Sequence, residues 1–182
     1  MPLVATTHTE TSSTGMAMTY AYHEAQQVIK AHVNASQDDV IITAGSGMTR
    51  LINKFQRMLG LKYPHAKQEA SFDQLPVVFI THMEHHSNHT SWLETHTEVE
   101  IIPPNEEGLV DLDAFASLLA KHKDNPRKIA SITSCSNVTG IVTPYKEIAK
   151  MVHAYGGLCF VDFACSAPYV EIDMHPREEG AH

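Results

Sequence analysis

Residues 156–162 read Gly156-Gly157-Leu158-Cys159-Phe160-Val161-Asp162, four consecutive apolar residues with glycines before them and a carboxylate after them. An apolar run of this length between turn residues is typical of a short strand buried on both faces, as strands of parallel sheets are. Asp162 would then lie at the carboxyl end of that strand, where ligands bind in open α/β sheets. From this stretch alone, Asp162 is equally well interpreted as a helix cap or an ordinary loop carboxylate.

Strand and helix patterns alternate along the rest of the chain. The patterns predict four earlier strands, at 40–43, 77–81, 98–102 and 128–133. They predict helices at about 15–33 and 48–59, a short one containing Trp92 and Leu93, one that Asp111 caps, and one that begins at Thr143-Pro144. This alternation predicts an α/β fold with a mostly parallel or mixed sheet and helices on both faces.

Composition limits the domain count and the class of partner. A chain of 182 residues with 43% hydrophobic and 19% charged residues fits one domain with a real core, spanning 1–182. The formal charge of −8 argues against nucleic-acid and anionic-membrane surfaces, so we expect small-molecule partners. Residues 1–13 lack the features of a signal peptide, and no membrane span is visible. Three cysteines without a CxxC pair suit reduced thiols in a cytoplasmic protein.

Four polar loops are expected to converge at the carboxyl edge of the sheet, because the loops that follow parallel strands lie along one edge. Such convergence is what a cofactor site needs. The loops are residues 45–49, 82–88, 134–140 and 162–166.

The first loop, Gly45-Ser46-Gly47-Met48-Thr49, leads into a helix. Free backbone N–H groups, the helix dipole and the Thr49 hydroxyl could hold a phosphate there. The motif is neither a P-loop nor GxGxxG, so a helix-starting turn without a ligand is an equal alternative.

The second loop is rich in histidine. His82, His85, His86 and His89 have a spacing that on a helix would suit a metal. His85 directly follows Glu84 after a strand, which places it in a loop, and no HExxH motif is present. We therefore predict no metal site, and a flat aromatic contact with a ligand or a plain polar role remains for these imidazoles.

The third loop, Ser134 to Gly140, offers an amide, hydroxyls and a glycine just past a strand. A nucleophile needs a base, and nothing in the sequence pairs Cys135 with one. Cys135, Cys159 and Cys165 are each better interpreted as small buried hydrophobes.

Taken in order, these loops resemble class V aminotransferases, the fold-type I pyridoxal phosphate (PLP) family that includes cysteine desulfurases and selenocysteine lyases. The resemblance covers residues 6 to about 175. It is carried by Gly47-Met48-Thr49 with Ile52-Asn53, Met83-Glu84-His85-His86-Ser87-Asn88 with Trp92, Ser136-Asn137-Val138-Thr139-Gly140, and Val161-Asp162 with Ala164 and Pro168.

The resemblance implies a role for each loop. Gly47, Met48 and Thr49 match the family's phosphate-binding turn, and His85 matches the catalytic histidine that stacks on the pyridine ring. Asp162 matches the aspartate that pairs with the protonated ring nitrogen. The family further implies an amino-acid substrate and a homodimer.

Two more positions match the cofactor site of the family. Asn137 matches an asparagine that contacts the substrate carboxylate or the ring hydroxyl. Cys165 stands where the family commonly has a glutamine, in Asp162-Phe163-Ala164-Cys165 instead of D-G-A-Q. A thiol is a weak donor, so it would hold the ring oxygen less firmly than an amide does.

The Schiff-base lysine of the family is expected about two dozen residues beyond Asp162, past His182. None of the nine lysines stands at that position. The resemblance therefore implies a partial PLP-binding large domain without the family's first strand and small domain, catalytically incomplete, from a transaminase or a desulfurase-type enzyme. The alternative is a non-catalytic, histidine-rich metal-binding or interaction module that keeps the fold.

Overall fold

The computed structural model of the protein describes residues 5–45, 47–62 and 74–176. These residues contain five helices and four strands. In chain order the elements are α1 (Ser13–His32), α2 (Gly47–Met58), β1 (Val77–Thr81), α3 (His86–Leu93), β2 (Glu98–Ile102), α4 (Leu112–Lys121), β3 (Lys128–Thr133), α5 (Tyr145–Ala154) and β4 (Leu158–Asp162).

The four strands form one parallel sheet in the order β2-β1-β3-β4. The chain moves from β1 to one side of the sheet to form β2, and then crosses β1 to form β3 and β4 on the other side. Because parallel crossovers are right-handed, connections that run in opposite directions lie on opposite faces of the sheet. The expected α/β fold with a parallel sheet and helices on both faces is confirmed.

One face of the sheet is covered by α4 and α5. Phe115 from α4 and Ile148 from α5 are fully buried against Phe79 and Ile132 of the sheet. The rings of Phe79 and Phe115 meet edge to face with centroids 5.4 Å apart. Edge-to-face contact is the favourable geometry for an aromatic pair, so this pair contributes beyond its buried area.

The other face is covered by α2 and α3. Successive strand residues point to opposite faces, so Val78 and Ile80 of β1 pack here with Ile52 and Trp92. Phe55 of α2 meets Phe160 of β4 edge to face at 4.1 Å between ring centroids. Both faces of β1 are therefore buried, and β1 is the centre of the hydrophobic core.

Two expectations about strands are wrong. Residues 40–43 do not form a strand. Val40 is 81% exposed and Ile42 is 40% exposed, so these residues lack the side-chain burial that stabilises a strand within a sheet. β4 is only half-buried, and Leu158 is 50% exposed. Among the described strands β4 pairs with β3 alone, and a strand at the edge of a sheet keeps one side open.

The chain divides into two compact units. Among the described residues, the first unit comprises 5–43, with α1, and 169–176, and the second comprises those between 44 and 168, with the whole sheet. In the first unit, Met174 N–H donates to Val33 O at 3.0 Å and His175 Nε2 lies 2.7 Å from Asp39 Oδ2. In the described part of the chain, no helix is long and apolar enough to cross a membrane.

We predict that Phe115→Ala lowers the free energy of unfolding of the second unit by about 3–5 kcal/mol, because it leaves a cavity in a fully buried site. Trp92 is the single tryptophan and is fully buried in the same unit. Its fluorescence during urea denaturation measures the change. Met58→Ala is the matched control, since Met58 is 59% exposed, and we expect it to change stability by about 0.5 kcal/mol or less. Equal losses in both variants would contradict the assignment of Phe115 to the core.

We predict that the Cys159 thiol reacts very slowly with iodoacetamide at pH 8. Burial raises the pKa of Cys159 to about 12, and the thiolate is the reactive form. The thiolate fraction is therefore on the order of 1 in 10,000 at pH 8 and grows about tenfold with each pH unit up to 12. Isotope-labelled alkylation with peptide mass mapping measures this rate, and N-acetylcysteine is the reference thiol. A rate at pH 8 equal to that of the reference would contradict the burial of this thiol.

Candidate functional site

A crevice opens at the carboxyl edge of the sheet between β1 and β3. The chain leaves these neighbouring strands toward opposite faces, and such a point is where open α/β sheets bind ligands. The crevice contains a cleft of about 350 Å³. Of the predicted site residues, Asn137 lines it. The lining residues come from the loops after β1, β2 and β3: His82, Met83, Glu84, Gly108, Ser136, Asn137, Val138, Thr139 and Ile141.

Asp162 is the last residue of β4, as the sequence predicts. Its backbone oxygen accepts a hydrogen bond from Ser134 N–H at 2.9 Å, and its Oδ1 accepts one from Ala164 N–H at 2.8 Å. Residues 164–169 form turns and not a helix, so Asp162 does not cap a helix. The carboxylate is half-buried at the carboxyl edge, beside the exit of β3.

Hydrogen bonds connect the turn after Asp162 to the loop after β3. Cys165 Sγ donates to Cys135 O at 3.1 Å, and the hydroxyl oxygens of Ser134 and Ser166, both buried, are 2.5 Å apart. Cys165 is an exposed residue, but partial desolvation of its thiol raises the pKa of that thiol. The neighbouring Cys135 thiol adds to the rise. Cys165 thus differs from the buried hydrophobe that its residue type suggests, and its sulfur lies next to the aspartate turn.

His85 is the N-cap residue of α3, in the loop position that the sequence predicts. Its Nδ1 accepts a hydrogen bond from Ser87 N–H at 3.1 Å and lies 2.7 Å from the Ser87 hydroxyl oxygen. The imidazole is exposed. A ring that is fixed at one nitrogen and open to solvent can present a flat face to a ligand.

The histidine-rich segment does not gather a metal-binding group. In residues 5–45, 47–62 and 74–176, three metal-ligand side chains come together only at Glu98, Glu100 and His122, away from the loop after β1. Glu100 there already accepts from Lys121 Nζ at 2.5 Å and lies 2.8 Å from His122 Nε2. Glu100 therefore forms an ion pair with Lys121 in this cluster.

The Gly47, Met48 and Thr49 turn begins α2. Gly47 has φ of +71°, a conformation that other residues adopt only under strain, so glycine is required there. The first turn of α2 contains no acidic side chain, which leaves the positive end of the helix dipole available to an anion. Ser46 lies outside the described residues. No hydrogen bond between described residues joins this turn to His85, Asn137 or Asp162.

Glu84 is a site residue to which the sequence assigned no role. Its Oε1 accepts hydrogen bonds from Thr81 Oγ1 at 2.7 Å and from Thr133 N–H at 2.9 Å, and its Oε2 accepts from Asn88 Nδ2 at 2.8 Å. Burial raises the pKa of the Glu84 carboxyl, and the bonds from Thr81 and Asn88 oppose that rise. The signal in the sequence is a glutamate just past a strand with an asparagine four residues later on a helix.

The sequence of the chain is similar to those of cysteine desulfurases. The family model described as Aminotransferase class-V matches residues 2–178. A cysteine desulfurase of Synechococcus elongatus is 29% identical over 160 residues, which cover 86% of this chain and 24% of that relative. A probable cysteine desulfurase of Halalkalibacterium halodurans is 29% identical over 172 residues, which cover 92% of this chain and 39% of the relative. The chain thus spans between a quarter and two-fifths of the length of these relatives.

Solved structures of cysteine desulfurases and related proteins have a similar fold. The apo structure of a cysteine desulfurase from Thermococcus onnurineus matches with a TM-score of 0.71 at 21% identity, covering 94% of this chain and 40% of that one. A NifS-like protein from Rickettsia africae matches with a TM-score of 0.70 at 22% identity, covering 91% and 42%. Because the class V aminotransferase model matches residues 2–178, the chain belongs to that family, and it has the α/β fold of cysteine desulfurase structures.

Proposed function

We propose that the chain is the PLP-binding portion of an enzyme that acts on an amino acid, by transamination or by cysteine-desulfurase-type chemistry. The observation that carries the proposal is the Asp162 carboxylate at the carboxyl end of β4, where Ala164 N–H donates to Oδ1 and Ser134 N–H donates to the backbone oxygen. Family membership supports PLP as the cofactor. The proposal includes a homodimer in the cytoplasm, the assembly and location that the resemblance and the reduced thiols suggest.

The residues present fit this cofactor. Asp162 is a half-buried carboxylate with one oxygen bonded to Ala164 N–H, so it can accept a further proton-bearing partner such as a pyridinium nitrogen. His85 offers an exposed ring fixed by Ser87. The N-terminus of α2, with Gly47 in its left-handed conformation, offers backbone N–H groups to a phosphate.

Bound PLP supplies an electron sink for the bond that is broken at the substrate's α-carbon. In this proposal Asp162 would hold the proton on the ring nitrogen, and His85 would cover one face of the ring and exclude water from it. Asn137, which lines the cleft, orients the substrate carboxylate or the ring hydroxyl. Cys165 is a weak donor toward the ring oxygen.

The described lysines support catalytic incompleteness. Lys128 is buried at the amino end of β3, the opposite end of the sheet from Asp162, and its Nζ donates to Lys123 O and Asn125 O. Lys62 donates to Glu94. Lys54, Lys146 and Lys150 are exposed on helices. We propose that none of them holds PLP covalently, so that binding is weak and reversible.

We predict that Asp162→Ala weakens PLP binding at least tenfold, because a charge-assisted hydrogen bond contributes about 1.5–3 kcal/mol. Absorbance titration with PLP measures the dissociation constant, and circular dichroism confirms that the fold is kept. Asp124→Ala is the matched control, since Asp124 is exposed in the turn before β3 at the other end of the sheet. Equal PLP affinity in wild type and Asp162→Ala would remove Asp162 from the proposed site.

We predict that borohydride reduction in the presence of PLP labels no lysine of the folded chain stoichiometrically. The nine lysines of the sequence are the possible sites, and peptide mass mapping identifies any that react. The urea-unfolded chain is the control, because unfolding exposes every amine to PLP. Stoichiometric labelling of one lysine in the folded chain, or amino-acid turnover, would show that the chain is catalytically complete.

A further inference from the structure

The ladder between β1 and β3 stops before either strand ends. It pairs Val77 with Lys128, Val78 with Ile129 and Phe79 with Ala130. The ladder between β3 and β4 continues to Thr133 and Asp162. The last part of β3 is therefore paired on the β4 side, while on the β1 side its backbone groups need other partners.

Two side chains from the segment after β1 supply those partners. Asn88 Nδ2 donates to Ser131 O at 3.2 Å, and Thr133 N–H donates to Glu84 Oε1 at 2.9 Å. Glu84 and Asn88 also bond to each other at 2.8 Å. Together they form a polar wedge, the Glu84–Asn88 pair, between the diverging ends of β1 and β3.

The donor and acceptor atoms of this wedge are fixed. Trp92 Nε1 can only donate, and it donates to Asn88 Oδ1 at 2.9 Å. Asn88 must therefore turn its NH₂ group toward Glu84, and Glu84 Oε2 must accept. Thr133 N–H likewise requires Glu84 Oε1 to accept. Both carboxylate oxygens thus face donors, as an ionised glutamate needs.

The wedge connects His85 and Asp162, the two residues proposed to bind the cofactor ring. Glu84 directly precedes His85, the cap of α3. Its partner Thr133 is the register partner of Asp162 in the neighbouring ladder. Covalent and hydrogen bonds therefore lead from His85 through the Glu84 carboxylate to Thr133 N–H, and from the next residue, Ser134, through its N–H to the backbone oxygen of Asp162.

We propose that Glu84 is a positioning residue, whose carboxylate sets the separation between the His85 ring and the Asp162 carboxylate at the carboxyl edge of the sheet. This inference rests on the proposed function, because it concerns the same ring site. A flat ligand stacked on His85 and bonded at its edge to Asp162 tolerates little error in that separation. Glu84 acts through its neighbours and does not itself touch the ligand.

The test removes one acceptor oxygen from position 84, whose two oxygens face Asn88 Nδ2 and Thr133 N–H. Whichever way the amide of Glu84→Gln turns, its NH₂ group faces one of these two donors, so one of the two hydrogen bonds is lost. Glu106→Gln is the control, since Glu106 is exposed in the turn after β2.

PLP titration gives the dissociation constant, and the induced circular dichroism per bound PLP reports how firmly the ring is oriented. For folded Glu84→Gln we expect an affinity loss of about tenfold or more and a weaker induced signal. We expect Glu106→Gln to match wild type in both affinity and signal. Loss of thermal stability alone would not reduce the signal per bound PLP in folded protein.

Each of the other outcomes contradicts either the positioning role of Glu84 or the proposed function. Wild-type affinity and signal in Glu84→Gln would overturn the positioning role and leave the proposed function intact. A Glu84→Gln variant that does not fold would also overturn it, because Glu84 would then be required for folding and not for the separation of His85 and Asp162. A wild-type chain that does not bind PLP would overturn the proposed function itself, and this inference with it.

Discussion

The parallel pairing of β1 with β3 determines the rest of the sheet unit. Connections leave this pair in opposite directions, so right-handed crossovers place α4 and α5 on one face and α3 on the other. The two hydrophobic clusters follow from that division, with alternate residues of β1 pointing into each. The same pairing creates the crevice at the carboxyl edge, because the segments that follow β1 and β3 diverge only there.

Where β1 and β3 diverge, side chains supply the hydrogen bonds that the ladder no longer supplies. Buried backbone groups require partners, and beyond Phe79 and Ala130 the ladder no longer provides them. Glu84 and Asn88 take over from the strand, and Trp92 orients Asn88 from the core. The motif around His85 therefore combines a ligand-facing residue with residues that complete the sheet, and one short segment serves both.

The two edges of the described sheet differ in character. β2 carries Glu98 and Glu100, and Glu100 is engaged with Lys121 and His122. Charged side chains on an edge strand discourage further pairing. β4 carries Leu158, Cys159, Phe160 and Val161 before it reaches Asp162. Cys159 and Val161 pack partly buried on one face and Phe160 on the other, but among the described strands β4 pairs with β3 alone, so the strand is not fully buried.

The sequence by itself determined the element order, the bounds of most helices and strands, the parallel α/β class and the position of Asp162 at a strand end. These follow from local signals: apolar runs, helical periodicity, the Asp111 cap and glycines at turns. Tertiary structure alone decided that residues 40–43 are not a strand, that β4 is an edge, and that Glu84 bridges β1, α3 and β3. The physical reason is that burial and pairing depend on which elements become neighbours. A carboxylate next to His85 has the same local sequence whether it meets solvent or the Thr133 amide, and only the packed sheet makes that choice.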